Sequence, residues 1–147
     1  MTIIPFTLLN LQGDGYHIVL EVEIFDRSFN MVLDTGASKT VLDKATVISS
    51  GLAEQDLQST DILSTGLGTN SMESFILHLP KLRIREWEIK KVDVAVLDLS
   101  SINYAYEQMG IEPVIGVLGG DILTRYGAVI DYNKHTVRLR SRPVRKN

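Results

Sequence analysis

Met31-Val32-Leu33-Asp34-Thr35-Gly36-Ala37-Ser38 is the stretch on which the reading of this chain turns. Three apolar residues run straight into a carboxylate, a hydroxyl residue and a glycine, the pattern of a strand giving way to a tight turn. An acid at a strand end can be held rigidly by backbone donors while staying open to a cleft, and glycine lets the turn form close beside it. That makes Asp34 the first candidate for chemistry. The Asp-Thr-Gly triplet occurs once in the 147 residues.

Working outward, Leu20, Val22 and Ile24 alternate with Glu21 and Glu23, which predicts a half-buried strand ending near Asp26-Arg27-Ser28. Phe29 to Leu33 returns as its partner. Period-two segments follow at Phe75–Leu79, Leu82–Ile84, Val92–Val96 and Ala128–Tyr132, and Asn133-Lys134-His135 turns the chain into Thr136–Leu139. Helical spacing is confined to short pieces. Ile102, Ala105, Tyr106 and Met109 recur on one face before Gly110, and Asp121 to Arg125 reads as a helical turn with Ile122 and Leu123 inward and Gly127 near its end. A third helix is expected within Thr40 to Ser50. Many short strands punctuated by glycine, with small helices, predict a closed or nearly closed β-barrel in an all-β domain rather than an alternating α/β sheet.

The length fits one domain, residues 1–147, with a basic tail from about residue 140 that carries Arg140, Arg142, Arg145 and Lys146. No cysteine is present, which removes disulfides, thiol nucleophiles and cysteine metal sites. A net charge of -3 argues against a general nucleic-acid partner, and the basic end reads as a solvated tail. Met1 to Phe6 lack a basic region, a long apolar stretch and a cleavage site, so the expectation is a cytoplasmic chain without a membrane partner. His17, His78 and His135 are scattered and unpaired with acid clusters, and neither a metal nor another cofactor is expected. Trp87, within Arg85-Glu86-Trp87-Glu88, is expected to cover a sheet face.

Val117-Leu118-Gly119-Gly120-Asp121-Ile122-Leu123 lies downstream of the Asp-Thr-Gly motif. Together the two segments resemble the retropepsin-type aspartic proteases. The resemblance implies a closed acid-protease β-barrel with one to three short helices. It also implies that Val117, Leu118 and Gly119 cross behind the catalytic loop and support it. Ala128–Tyr132 is similar to the closing strand of bacterial members, and the opening Ile4-Pro5-Phe6 is shared with them, which points to a bacterial source. Between Glu54 and Glu112 the match is loose.

Peptide hydrolysis by carboxylates needs two of them, one ionised to take a proton from water and one protonated to donate to the carbonyl oxygen. Paired carboxylates share a proton because double ionisation is costly, a behaviour for which aspartic proteases are the standard example. With one Asp-Thr-Gly, Asp34 is expected to meet its own copy across a twofold axis in a homodimer. By resemblance, Thr35 locks the two loops across the axis, Gly36 exposes backbone beside the acid, Ala37 continues the loop, and Ser38 bonds the outer carboxylate oxygen. Asp121 and Asp131 are assigned to a helix start and a strand end.

The family covers its substrate with a hairpin flap, and Thr65 to Met72 is the candidate here, with Gly66, Leu67, Gly68 and Thr69 at its tip. As a nucleotide loop this stretch fails, because Ser71 stands where a third glycine belongs. The expected partner besides the second copy is an extended peptide with apolar side chains. The alternative reading is a noncatalytic peptide-binding or assembly module on the same barrel. A third is a peptidase that needs a trigger to dimerise.

Overall fold

The computed structural model describes residues 1–11, 13, 15–51, 58–59 and 74–144. The hairpin that leads into the Asp34 turn starts at β3 (Tyr16–Ile24), whose Ile18, Leu20, Val22 and Ile24 are buried while Glu21 and Glu23 face water. This is the alternation expected of a strand with one face on a core. Phe25 and Asp26, at φ 55° and 58°, form a two-residue turn into β4 (Arg27–Leu33). Two successive positive φ values match the twist of the flanking strands. The turn therefore falls one residue earlier than Asp26-Arg27-Ser28, and Arg27 and Ser28 already pair with Ile24 and Glu23.

Two further sequence expectations are corrected. Val41–Asp43 is a short strand, β5, so the helix expected across residues 40–50 is only α1 (Lys44–Ser49), started by the Asp43 side chain accepting from Thr46 N at 3.3 Å. Phe75–Leu79 and Leu82–Ile84 are one strand, β7 (Phe75–Ile84). Pro80 has no N–H to give, and the ladder with β8 (Trp87–Leu97) skips it opposite Lys91, which sits at φ 54°. The helix near residue 102 is α2 (Ser100–Gln108), ended by Gly110 at φ 71°. It buries Tyr106 and half-buries Ile102, whereas Ala105 and Met109 are exposed. Segment 120–125 forms α3 (Gly120–Arg125) with Ile122 and Leu123 buried, as its apolar spacing predicts.

With β9 (Gly116–Leu118) the strands run in the order β3-β4-β9-β5-β8-β7, and Glu23 opposite Arg83 brings β7 back to β3. This closes a six-stranded barrel, the all-β architecture the glycine-punctuated strands predict. β2 (Thr7–Asn10) and β6 (Gln58–Ser59) extend the sheet beyond the closure. A separate sheet, in the order β1-β11-β10, joins β1 (Thr2–Pro5), β11 (Thr136–Leu139) and β10 (Val129–Asp131). Its inner face lays Ile4, Val137 and Leu139 on the barrel core. Trp87 does not cover an outer face: it is 1% exposed, with its indole N–H donating to Arg140 O at 2.8 Å. That bond ties the end of β11 to the barrel wall. Outside the barrel, Val19, Val32, Val114 and Tyr106 form a second apolar cluster that seats α2 beside the end of β4. No helix of the described residues is long and apolar enough to cross a membrane. The stretch Thr65 to Met72 and residues 145–147 lie outside the described residues.

Candidate active site

Asp34 follows directly on β4, and its position is set by β9. The two strands pair in parallel, Met31 with Gly116, Val32 with Val117 and Leu33 with Leu118. One further bond, Asp34 N to Leu118 O at 3.0 Å, carries that pairing into the turn. Ala37 N donates to Asp34 O at 3.2 Å and closes the turn, while Gly36 N donates to Asp34 Oδ1 at 2.9 Å. The carboxylate is thus held from one side by a backbone donor. Asp34, Thr35, Gly36 and Ser38 are exposed and Ala37 is half-buried. Among the described residues the donor to the carboxylate is Gly36; Ser38 makes no bond to it.

The support behind the loop is a polar network in which the buried Thr40 meets the exposed Asp121. Thr40, 1% exposed, donates from Oγ1 to Asp121 Oδ1 at 2.8 Å and from its backbone N–H to Asp121 Oδ2 at 3.1 Å. The same Oγ1 accepts from Gly119 N at 3.0 Å, and Ile122 N donates to Asp121 Oδ1 at 2.9 Å. Gly120 N donates to Ala37 O at 2.7 Å. Every polar group in this knot has a partner, and the bonds converge on the buried Thr40 hydroxyl. Asp121 therefore does more than begin α3, since it fastens the far end of the Asp34 loop to that helix.

Two glycines make the close approach possible. A Cβ on Gly119 would lie 2.5 Å from Lys39 O and 2.9 Å from Ala37 O, and one on Gly116 would lie 2.0 Å from Val41 O. Neither position tolerates a side chain. Leu118, which accepts from Asp34 N, is fully buried, and Val117 is half-buried. Gly116, Thr40 and the side-chain role of Asp121 were not singled out in the sequence. Gly116 had a signal: a glycine inside the apolar run Val114-Ile115-Gly116-Val117 marks a close backbone approach.

The loop stands as a ridge between two hollows. On one side a cavity of about 230 Å³ is lined by Asp34, Thr35, Leu33, Val32, Ile18, His17, Tyr16 and Tyr132. On the other, Thr35 to Ser38 face α3 and Pro143-Val144 across a hollow of about 1030 Å³. His17 Nδ1 lies 2.6 Å from the Tyr106 hydroxyl. Burial pushes the Tyr106 phenol above its ordinary 10.0, and the Asp34 carboxylate pushes in the same direction, so the field of Asp34 reaches this pair.

The other acids in these segments are engaged elsewhere. Asp43, 5% exposed, accepts from Thr46 and from Leu99 N at 2.9 Å, and Asp131 ends its strand by accepting from Asn133 N and Lys134 N, both at 2.9 Å. His78 pairs with Asp93, and His135 stacks on Phe6. Among the described residues no group of three or more His, Asp or Glu side chains could hold a metal ion. The flap candidates Gly66, Leu67, Gly68 and Thr69 lie outside the described residues.

The family described as aspartyl protease matches residues 20–122, a span that contains the Asp34 loop, Thr40 and the Gly119-Gly120-Asp121 support. No curated protein sequence matches the chain. Among solved structures, a retropepsin-like aspartic protease from Rickettsia conorii is similar with a TM-score of 0.60 at 23% identity, covering 92% of this chain and 86% of its own. The retroviral protease-like domain of Ddi1 from Leishmania major has a TM-score of 0.60 at 15% identity, covering 84% and 87%. EIAV protease, solved with the inhibitor HBY-793, has a TM-score of 0.50 at 27% identity, covering 80% and 91%.

Proposed function

The chain belongs to the aspartyl protease family, and we propose that it is a homodimeric endopeptidase in which two copies of Asp34 activate water against a peptide bond. The observation that carries this reading is the state of Asp34. Its carboxylate is exposed at the tip of a rigid loop with one backbone donor, and Asp43, Asp121 and Asp131 are all committed to other bonds. With a single Asp-Thr-Gly in the sequence, the second carboxylate is assigned to a second copy of the loop, as the family resemblance implies. A twofold axis through the ridge brings the two acids together.

In the assembled site one Asp34 is ionised and the other protonated, and the two titrate as a pair. The ionised carboxylate takes a proton from water as its oxygen attacks the carbonyl carbon, while the protonated one donates to the carbonyl oxygen. As the tetrahedral diol collapses and its C–N bond breaks, the Asp34 that took the water proton delivers it to the departing amine, and the other Asp34 takes a proton from a diol hydroxyl as the new carboxyl forms. Thr35, exposed beside the axis, is assigned the bond between the two loops.

The test is cleavage of a peptide library by wild type and by Asp34→Asn, with sedimentation of both over a concentration series. Dimerisation with cleavage lost in the variant is the expected result; turnover unchanged in Asp34→Asn would refute the assignment. A folded wild-type monomer that cleaves nothing would favour a binding module on the same barrel.

A further inference from the structure

One wall of the cavity beside Asp34 is His17, which forms with Tyr106 a polar couple that the reaction above does not use. Tyr106 is 3% exposed, and its hydroxyl has one hydrogen bond among the described residues, to His17 Nδ1 at 2.6 Å. If the imidazole were the donor, the phenol proton would be left without an acceptor in a buried site, at a cost of about 1–3 kcal/mol. The phenol is also held in its protonated form by burial. The O–H therefore donates to Nδ1, and the bond made by one ring nitrogen decides which nitrogen carries the proton. His17 carries its hydrogen on Nε2.

The couple is rigid. Asn103 of α2 exchanges two hydrogen bonds with the Val114 backbone, at 2.8 and 3.1 Å, and Asp43 accepts from Leu99 N at the start of the helix. Tyr106 follows Asn103 on α2 and packs against Val19, Val32 and Val114. His17, half-buried on β3, shares its cavity with Asp34 and Thr35 and with the exposed Tyr16 and Tyr132. A donor beside a carboxylate selects a particular guest. An acidic side chain would meet Asp34 as a like charge, and an alkyl one would leave the N–H without an acceptor. A primary amide offers an oxygen to Nε2–H and an NH2 to the neighbouring oxygens without adding charge.

We propose that His17, oriented by Tyr106, is a specificity-determining residue that donates its Nε2–H to the side-chain amide of a glutamine or asparagine next to the bond being cleaved. This rests on the peptidase reading for the substrate being a peptide. It departs at one position from the apolar preference that the family resemblance implies.

The test uses paired peptides that carry Gln or the similarly shaped Met at the residues flanking the cleavage point. Their binding is measured by calorimetry on the Asp34→Asn chain, which separates recognition from turnover. The Gln peptide should bind about fivefold more tightly. That preference should vanish in His17→Phe and fall in Tyr106→Phe, where only a hydroxyl is removed. Imidazole 15N shifts of wild type should report Nε2–H, and a mixture of tautomers in Tyr106→Phe. Equal binding of the two peptides, binding of neither, a preference that survives His17→Phe, or an Nδ1–H tautomer in wild type overturns the proposal. So does a dimer weakened by His17→Phe with peptide discrimination unchanged, which would give the cavity to the partner copy. If Gln peptides bind preferentially but wild type cleaves none of them, the peptidase reading fails and the recognition stands.

Discussion

Replacing Thr40 with valine removes one hydroxyl from behind the Asp34 loop and leaves the shape of the side chain nearly intact. The hydroxyl makes two bonds, accepting from Gly119 N at 3.0 Å and donating to Asp121 Oδ1 at 2.8 Å, in a residue that is 1% exposed. Without it the buried Gly119 N–H has no partner, a loss of about 1–3 kcal/mol. Asp121 keeps Thr40 N and Ile122 N as donors, so its share is smaller, about 1 kcal/mol. The sum is near 3 kcal/mol, which for a chain of this length lowers Tm by roughly 6–12 °C. Urea and thermal unfolding at one fixed protein concentration read this directly, and fixing the concentration keeps dimerisation from shifting the midpoint. Thr40→Ser, which retains the hydroxyl, should recover most of the loss. A Thr40→Val protein within 0.5 kcal/mol of wild type would refute the reasoning, because it would mean that the network carries no net stability.

Gly119→Ala should destabilise by more than about 2 kcal/mol and impair cleavage in the fraction that folds, since its Cβ meets backbone oxygens at 2.5 and 2.9 Å. The residue sits at φ -103°, an extended conformation open to any residue, so space rather than backbone strain is the obstacle. Tyr106 has a folded-state pKa raised above its ordinary 10.0, first by burial and then by Asp34. Its contribution to stability is fully present below pH 10.0 and is lost as pH rises through the folded value. Site-specific NMR titration should show the phenol move partway down in Asp34→Asn while remaining raised, because burial is the larger cause; no movement would mean that Asp34 does not act on it. Tyr106→Phe should flatten the fall in stability above that pH, measured by urea unfolding.

The parts of the fold legible in sequence are those decided locally. Leu20, Val22 and Ile24 declare β3 by alternation, and the step from Leu33 to Asp34 marks the strand end at which the acid sits. Val41–Asp43 could not be read as a strand, because its three residues owe their conformation to parallel pairing with β8 and antiparallel pairing with β9. Pro80 hid the continuity of β7, since the proline that interrupts the ladder also reads as a strand break. The site divides in the same way. Asp34 and Gly36 act on each other across two residues, so their motif was visible. Thr40 and Asp121 stand 81 residues apart and His17 and Tyr106 stand 89 apart, and only closure of the barrel makes them neighbours.

Two chains sharing one site can be tested by mixing. Wild type and a ninefold excess of Asp34→Asn are allowed to exchange, and cleavage is measured per wild-type chain. Random pairing leaves about one wild-type chain in ten with a wild-type partner. The account predicts a fall of about tenfold in the rate per wild-type chain. A rate unchanged by the excess variant would contradict it, because each chain would then be catalysing with its own Asp34 alone.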